Sequence, residues 1–326
     1  MKYKMTIVLF LISTFSFAQD CSKELLAKKP GAWKAGMKGS VQNIAAADLA
    51  KEKAVLDGVH KMIAANYRPT GCEVSYSNVF GKNKSAAGAW VADPYHYAMY
   101  ILRYLCDNNS TDKSKYYTDI STPTTVNIAA NEIFSLNNLY AGSLPTDDSR
   151  GYLKLAKRPV KKDGYYFMGE EIIGDRADKI KEYRWLITYN DTLPFYYVSQ
   201  KEYLMIQRKR LEKDIQDSPG DKKYLDQFIS KIDNYLKRPD DELKQPAICM
   251  WNEEQQFEKF VAEGTSGSFI AIKPNLNYYR KKLPMSSPQF FSVVYKISHG
   301  DLVFEENISN IQKAVDFSVL RNMLGK

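Results

Sequence analysis

Histidines are the first residues to consider, because histidine carries most acid–base and metal chemistry near neutral pH. The chain has three, His60, His96 and His299. No two of them have the spacing of a metal-binding motif, and no H-E-x-x-H sequence is present. His96 lies between Tyr95 and Tyr97, and these aromatic neighbours could enclose a binding site. We therefore predict no metal and no cofactor, and we take His96 as the best histidine candidate.

Carboxylates are the second group with catalytic potential. Glu170, Glu171 and Asp175 cluster at the end of a predicted strand. Hydrolysis of a glycosidic bond needs two carboxyl groups across one cleft, whereas neighbours on a strand point to opposite faces. The chain also lacks a G-x-S-x-G elbow, a P-loop and a G-x-G-x-x-G sequence. A hydrolase of envelope glycan or peptide, using Glu170 or Glu171 with His96 or Asp175, is therefore the alternative function.

Aromatic side chains are the largest compositional excess. The chain has 23 tyrosines, 15 phenylalanines and 4 tryptophans, which is 13% of its residues. Tyrosine and tryptophan present flat apolar faces with a polar tip, which suits sugar or peptide surfaces; the alternative is an aromatic core. The predicted binding residues are Tyr95, His96, Tyr97, Tyr278 and Tyr279. The main prediction is thus a non-enzymatic protein that binds a glycan, a peptide or another protein.

The first eighteen residues have the pattern of an export signal. Lys2 and Lys4 precede an apolar run at residues 7–12, and the small residues of SFA end just before Gln19. This pattern predicts cleavage after Ala18 and delivery to the periplasm or the medium. No other stretch of eighteen apolar residues occurs, so we do not expect an integral membrane protein.

The net charge bears on which partners the protein is expected to bind. Forty-six basic residues stand against 38 acidic ones, which gives +8 at pH 7. The basic residues form short runs that fit solvated faces, or a field that attracts an anionic envelope surface. Nucleic acid is not expected as a partner of an exported chain.

The cysteines predict disulfides, because their number is even and the chain is expected to leave the cytoplasm. They are Cys21, Cys72, Cys106 and Cys249. We expect Cys72 to pair with Cys106, since both flank strand-like segments of one region. Cys21 would then pair with Cys249.

The helices and strands expected from the sequence pattern indicate an α+β fold, in which helices cover a mainly antiparallel sheet. A turn at residues 145–149 divides the expected mature chain into regions 19–148 and 149–326. The first region is expected to contain a helix at 41–63, strands at 73–80 and 124–128, and a helix at 131–140. Segment 94–106 fits a buried strand or a helix, and the helical spacing of Tyr97, Tyr100, Ile101 and Tyr104 favours the helix. The helix at 94–106 would begin with Asp93 and Pro94 as its cap and first turn.

The second region has clearer periodicity. A hairpin is predicted from strands 183–189 and 195–198, in the same sheet as strand 289–297, which is apolar on both faces and therefore central. A helical hairpin is predicted from residues 200–216 and 222–237. The remaining elements are strands 164–173 and 268–273, a helix capped by Asn252, and a closing helix at 306–324 interrupted near Asp316.

Two sets of short runs in this second region carry a resemblance. They are WLIT at 185–188, LPF at 193–195, Val198 and KEYL at 201–204, then KPN at 273–275, YY at 278–279, KLP at 282–284 and PQF at 288–290. Together they resemble an uncharacterised family of exported proteins from Bacteroidota-type bacteria, over residues 164–326. The resemblance implies an envelope or secreted setting and carries over no catalytic residue.

Overall fold

The computed structural model describes residues 20–37, 39, 41, 44–80, 92–132, 152–173, 179–189, 191–251 and 257–326. The expected export signal and the turn at 145–149 lie outside them. The helices are α1 (Lys23–Ala27), α2 (Ala46–Asn66), α3 (Gln200–Asp217), α4 (Lys222–Tyr235), α5 (Asp240–Leu243), α6 (Leu302–Ala314) and α7 (Phe317–Met323). The strands are β1 (Ala32–Ala35), β2 (Cys72–Val79), β3 (Tyr95–Cys106), β4 (Tyr116–Thr118), β5 (Thr125–Ala130), β6 (Leu153–Leu155), β7 (Val160–Lys162), β8 (Tyr165–Ile173), β9 (Ile180–Ile187), β10 (Phe195–Tyr197), β11 (Ile248–Met250), β12 (Ser268–Pro274) and β13 (Phe291–Ser298).

The fold is α+β, as predicted. In the described part of the chain, a nine-stranded sheet has the order β1-β2-β3-β5-β13-β9-β8-β7, with β4 beside β3. Its pairings are antiparallel apart from that of β1 with β2. Strand β13 lies between β5 and β9, so the prediction that it is central is confirmed. The sheet therefore takes strands from both sides of the boundary expected at 148.

Helices α2, α6 and α7 cover one face of this sheet. The apolar residues of α2 recur at helical spacing, as do those of α6, and both stripes are buried. They are Leu56, Val59 and Ile63, and Phe304, Ile308 and Ile311. They pack with Tyr95, Tyr97, Met99 and Ile101 of β3 in one hydrophobic cluster, the helix-side core.

A smaller sheet covers part of the opposite face. Among the described residues it contains β10, β11 and β6, each paired with β12. Ile270 and Ile272 of β12 face the large sheet in the inter-sheet core, whereas Phe269 and Ala271 face the hairpin of α3 and α4. Side chains along β12 therefore alternate between the two faces, as expected of a strand. The helical hairpin predicted from the sequence is confirmed by α3 and α4. No helix in the described ranges is both long enough and apolar enough to cross a membrane.

The predicted helix at 94–106 is wrong, because this segment is β3. Tyr95, Tyr97, Met99 and Ile101 point into the helix-side core, and the intervening residues face the other side of the sheet. Apolar residues on both faces produced an accidental helical spacing. The aromatic side chains that suggested a helix stripe are also frequent in strands.

Three further elements differ from the prediction. Segment 195–198 does not return beside β9, because Phe195–Tyr197 pairs with β12 in the smaller sheet. Residues 257–262 are irregular, so the helix expected after Asn252 does not reach them, and residues 252–256 lie outside the described residues. Asn131 has a positive φ of 58° and is not helical, and residues 133–140 of the helix expected there lie outside the described residues.

The predicted disulfides are also wrong, since Cys21 bonds to Cys106 with their Cα atoms 5.7 Å apart. Cys72 lies opposite Arg103 in the ladder between β2 and β3, and Cys106 is three residues further along the strand. An odd offset places two side chains on opposite faces of a sheet, so these thiols cannot meet. Cys72 and Cys249 are buried thiols, and burial raises the pKa of Cys72 to about 12.

Candidate functional site

Two of the predicted binding tyrosines lie in the helix-side core. Tyr95 and Tyr97 have no solvent-exposed surface. The hydroxyl of Tyr95 donates to the carbonyl oxygen of Ser286 at 2.9 Å, and that of Tyr97 lies 2.8 Å from Nδ1 of His60. Their polar tips are therefore used in holding the sheet against the helices and the loop 284–290.

The other predicted binding tyrosines lie in the inter-sheet core. Tyr278 and Tyr279 are both buried, and the Tyr278 hydroxyl donates to the carbonyl oxygen of Gln289 at 2.7 Å. His96 points to the face of β3 opposite Tyr95 and Tyr97, where its Nδ1 lies 3.5 Å from a carboxylate oxygen of Glu132. The structure thus distributes the predicted residues over separate interiors and does not gather them at one surface.

The predicted carboxylates are also separated. Glu170 lies on the opposite face of β8 from Glu171 and forms an ion pair with Lys181 at 2.8 Å. Asp175 lies outside the described residues. Strand β3, which carries His96, is four strands from β8, or about 19 Å at the usual spacing between strands. Within the described ranges, no cluster of three or more His, Cys, Asp or Glu side chains could hold a metal ion.

A different pair of carboxylates does form on this sheet. Glu171 of β8 lies directly opposite Glu182 of β9, and Glu182 is ion-paired with Arg184 at 2.5 Å and Lys296 at 3.2 Å. Oε2 of Glu171 is buried without a hydrogen-bond partner. Burial and the neighbouring Glu182 raise the pKa of Glu171, while Arg184 and Lys157 act in the other direction. One carboxylate is thus ion-paired with cations, and the pKa of the other is raised.

This carboxylate pair predicts a specific dependence of stability on pH. Glu171→Gln should leave the free energy of unfolding at neutral pH unchanged or slightly higher, because the amide removes the repulsion from Glu182. A raised pKa in the fold means that the acid stabilises below its unfolded pKa, and that this contribution is lost as pH rises through the folded pKa. Wild type should therefore lose stability relative to Glu171→Gln as pH rises above the ordinary pKa of glutamate, about 4.3, measured by urea denaturation.

Glu170→Gln is the matched control, because it removes the same charge from the other face of β8 and leaves the pair intact. Its stability relative to wild type should not follow the trend of Glu171→Gln. If Glu171→Gln instead becomes less stable than wild type as pH rises, the assigned direction of the pKa shift is wrong.

Within the described residues, a groove along α3 combines a concave shape with several charged side chains. It has a volume of about 400 Å³, within the range of small-ligand sites. Its lining residues, here called the lysine groove, are Ser199, Lys201, Glu202, Met205, Ile206, Lys209 and Lys273.

The helix side of the groove follows from the sequence of α3. Ser199 caps the helix, because its hydroxyl accepts a hydrogen bond from the backbone N–H of Glu202 at 3.1 Å. Lys201, Met205 and Lys209 recur every four residues, which places them along one side of the helix. The side chains buried on the other side are Tyr203, Leu204, Gln207 and Leu211, while the buried Ile206 also lines the groove. Met205 is 57% exposed and gives the groove an apolar surface.

The opposite wall is a small hydrogen-bonded network. Lys273 of β12 lies opposite Tyr196 of β10, and both reach the carboxylate of Glu202. The Lys273 ammonium lies 3.1 Å from this carboxylate, and the Tyr196 hydroxyl donates to it at 3.0 Å. Burial and the Glu202 charge raise the pKa of Tyr196, so this hydroxyl keeps its proton. The wall is thereby fixed in position.

Basic side chains outnumber acidic ones among the described lining residues, which include Lys201, Lys209 and Lys273 beside Glu202. Lys273 is paired with Glu202, and Lys209 also has an interaction partner. Lys201 also lies 3.7 Å from Asp240, but both side chains are largely exposed, so the attraction is weak. Such a site favours an anionic group beside an apolar contact with Met205.

Sequence reasoning missed this groove, because residues 199–209 and Lys273 are far apart in the chain. A local signal was present in Met205, an apolar residue on the polar side of a helix. The runs KEYL and KPN, which contribute to the resemblance stated above, also contain Lys201, Glu202 and Lys273. Comparison of the chain with models of protein families, with curated proteins and with solved structures found no match.

Proposed function

We propose that this protein is an exported, non-enzymatic binding protein of the bacterial envelope, and that it holds an anionic glycan, peptide or protein partner in the lysine groove. The observation that carries the proposal is the convergence of Lys201, Lys209 and Lys273 around an exposed apolar side chain. The export pattern at the N-terminus supports the setting, and so does the Cys21–Cys106 disulfide, since such bonds persist in oxidising compartments.

Charge supports the proposal beyond the groove itself. The full chain carries a net charge of +8, which becomes +6 when Lys2 and Lys4 leave with the export signal, and a positive field raises the rate at which anionic partners arrive. Attraction between exposed charges is screened by salt, with a Debye length of about 8 Å at physiological ionic strength. Binding in the lysine groove should therefore weaken as salt is raised.

A charge-reversal experiment tests the proposal. In Lys201→Glu/Lys209→Glu, affinity for poly-glutamate and for polygalacturonate should fall by at least about tenfold, because each reversal replaces attraction by repulsion. Isothermal titration calorimetry on residues 19–326 at low salt would measure both polymers.

Lys213→Glu/Lys223→Glu is the matched control. Both lysines are exposed on the same helical hairpin, lie outside the groove, and change the net charge equally. The affinity of this control variant for either polymer should fall by less than about threefold, because only the overall positive field of the protein is reduced. An equal loss in the two double variants, or no binding of either polymer by wild type, would contradict a role for the groove.

A second candidate function rests on the carboxylate pair. A carboxylate paired with cations, beside a second carboxylate with a raised pKa, is a pattern found in acid–base hydrolysis. Incubation with peptidoglycan and with a peptide panel tests it. Turnover that is lost in Glu171→Gln but kept in Glu170→Gln, with both variants folded, would favour a hydrolase over a binding protein.

A further inference from the structure

We propose that the wall of the lysine groove contains a subsite for a neutral sugar, in which a pyranose ring stacks on Tyr196 and its hydroxyl groups bind the ion pair of Glu202 and Lys273. The subsite lies in the groove of the proposed function, but it does not require an anionic ligand. The two proposals can therefore fail independently.

Tyr196 supplies an exposed aromatic ring at the groove. It is 40% exposed, and it lies on β10 directly opposite Lys273, which lines the groove. The Tyr196 hydroxyl donates to Glu202, so the ring is anchored at its tip before a ligand arrives. A side chain already held in place loses little conformational entropy on binding, which favours affinity. The flat apolar face of such a ring suits the C–H face of a pyranose.

The ion pair beside this ring suits hydroxyl groups better than it suits a further charge. Lys273 lies 3.1 Å from Oε1 of Glu202, and the Tyr196 hydroxyl donates to the same oxygen at 3.0 Å. The two opposite charges compensate each other, so a charged ligand gains little at this point. A carboxylate accepts several hydrogen bonds and an ammonium donates several, so both groups keep capacity for a ligand. Neighbouring sugar hydroxyls, each both donor and acceptor, match this combination.

Other groups of the groove extend the contact beyond one ring. The Ser199 hydroxyl accepts from the N–H of Glu202 and keeps its own proton to donate. The exposed side chain of Met205 offers an adaptable apolar surface to a second ring. We therefore expect an oligosaccharide to bind more tightly than a monosaccharide.

Saturation-transfer-difference NMR with cellotriose tests the subsite. The ring hydroxyls of its β-linked glucose units are equatorial, so both faces of each ring present C–H groups. Irradiation of the aromatic protons of residues 19–326 should saturate these C–H protons. Cellotriose should bind at least about fivefold more tightly than glucose. Its affinity should change by less than about twofold when salt is raised, because the sugar carries no charge to be screened.

Two tyrosine variants locate the contact. Tyr196→Ala should lower the affinity for cellotriose by at least about tenfold, because the stacking face is removed. Tyr117→Ala is the matched control, since Tyr117 is also an exposed strand tyrosine but lies on β4, outside the groove. An equal effect of the two variants would overturn the subsite.

A measurement on the wild type does not depend on the folding of a variant. The ring signals of Tyr196 should shift progressively as cellotriose is added, and those of Tyr117 should stay in place. Tyr196 signals that do not move while cellotriose binds would show that the sugar lies elsewhere and would overturn the subsite.

The charge-reversal variant separates this inference from the proposed function. Lys201→Glu/Lys209→Glu should keep its affinity for cellotriose within about threefold, although it loses affinity for poly-glutamate and polygalacturonate. If cellotriose does not bind and the polymers still respond to this variant, the sugar subsite is overturned and the anionic partner remains. If cellotriose binds through Tyr196 and the polymers do not respond, the subsite is supported and the anionic partner is overturned.

Discussion

Asn131→Ala should lower the free energy of unfolding by about 3–5 kcal/mol, because the Asn131 side chain joins three segments in the interior. Its Nδ2 donates to the carbonyl oxygens of Asp93 and Ser287, each at 3.0 Å, and its Oδ1 accepts from the N–H of Gln289 at 2.7 Å. Alanine would leave these buried backbone groups unsatisfied, which costs about 1–3 kcal/mol for each group. The segments lead into β3, β5 and β13, so the loss would be felt in the centre of the large sheet.

Backbone conformation adds to this effect and can be separated from it. Asn131 has a φ of 58°, a region that asparagine and glycine tolerate better than alanine. Asn131→Gly should therefore be more stable than Asn131→Ala by about 1 kcal/mol, while both lose the side-chain hydrogen bonds. Urea denaturation followed by circular dichroism measures both variants. A loss below about 1 kcal/mol in Asn131→Ala would show that water replaces these bonds.

Removal of the disulfide should have a similarly large effect. Cys21 and Cys106 are 85 residues apart, and the chain-entropy estimate for a loop of that length is about 4.5 kcal/mol. Cys21→Ser/Cys106→Ser should lose most of this free energy of unfolding. The N–H of Cys21 also donates to the carbonyl oxygen of Lys113 at 2.8 Å, so the variant should open first around α1.

A reducing agent provides the internal control for this prediction. Dithiothreitol should bring the unfolding midpoint of the wild type to that of the double variant and leave the variant unchanged. Thiol titration of the unfolded, unreduced protein should detect Cys72 and Cys249. A peptide map of the unreduced protein that contains a Cys72–Cys106 bridge would contradict the observed pairing. So would a wild-type unfolding midpoint that does not change on reduction.

The sequence was sufficient for elements whose hydrophobic pattern has one clear period. Helices α3 and α4 were predicted closely, because each has an apolar stripe and Ser199 marks the start of the first. The interruption of the final helix was predicted as well, since Asp316 accepts hydrogen bonds from the N–H groups that begin α7. Local chemistry decides these features, and local chemistry is visible in sequence.

Features that depend on contacts between distant parts of the chain could not be predicted from the sequence. Strand β3 is apolar on both faces, so its periodicity did not separate strand from helix. Which cysteines can form a disulfide depends on the side of the sheet that each one faces. That side is set by the register between β2 and β3, which cannot be read from the spacing of the cysteines in the sequence. The predicted site failed for a similar reason, because the hydroxyls of Tyr95 and Tyr278 find partners in the interior and so permit burial of the rings.

The most direct test of the central claim is a methionine-methyl NMR titration of residues 19–326 with hexaglutamate. Met205 lies in the lysine groove, whereas Met37 lies just after β1 and is 91% exposed. We expect the Met205 methyl signal to shift progressively and to return when salt is added, with the Met37 signal unchanged. A Met205 signal that does not move while hexaglutamate binds, or a Met37 signal that moves as far, would contradict binding in the groove.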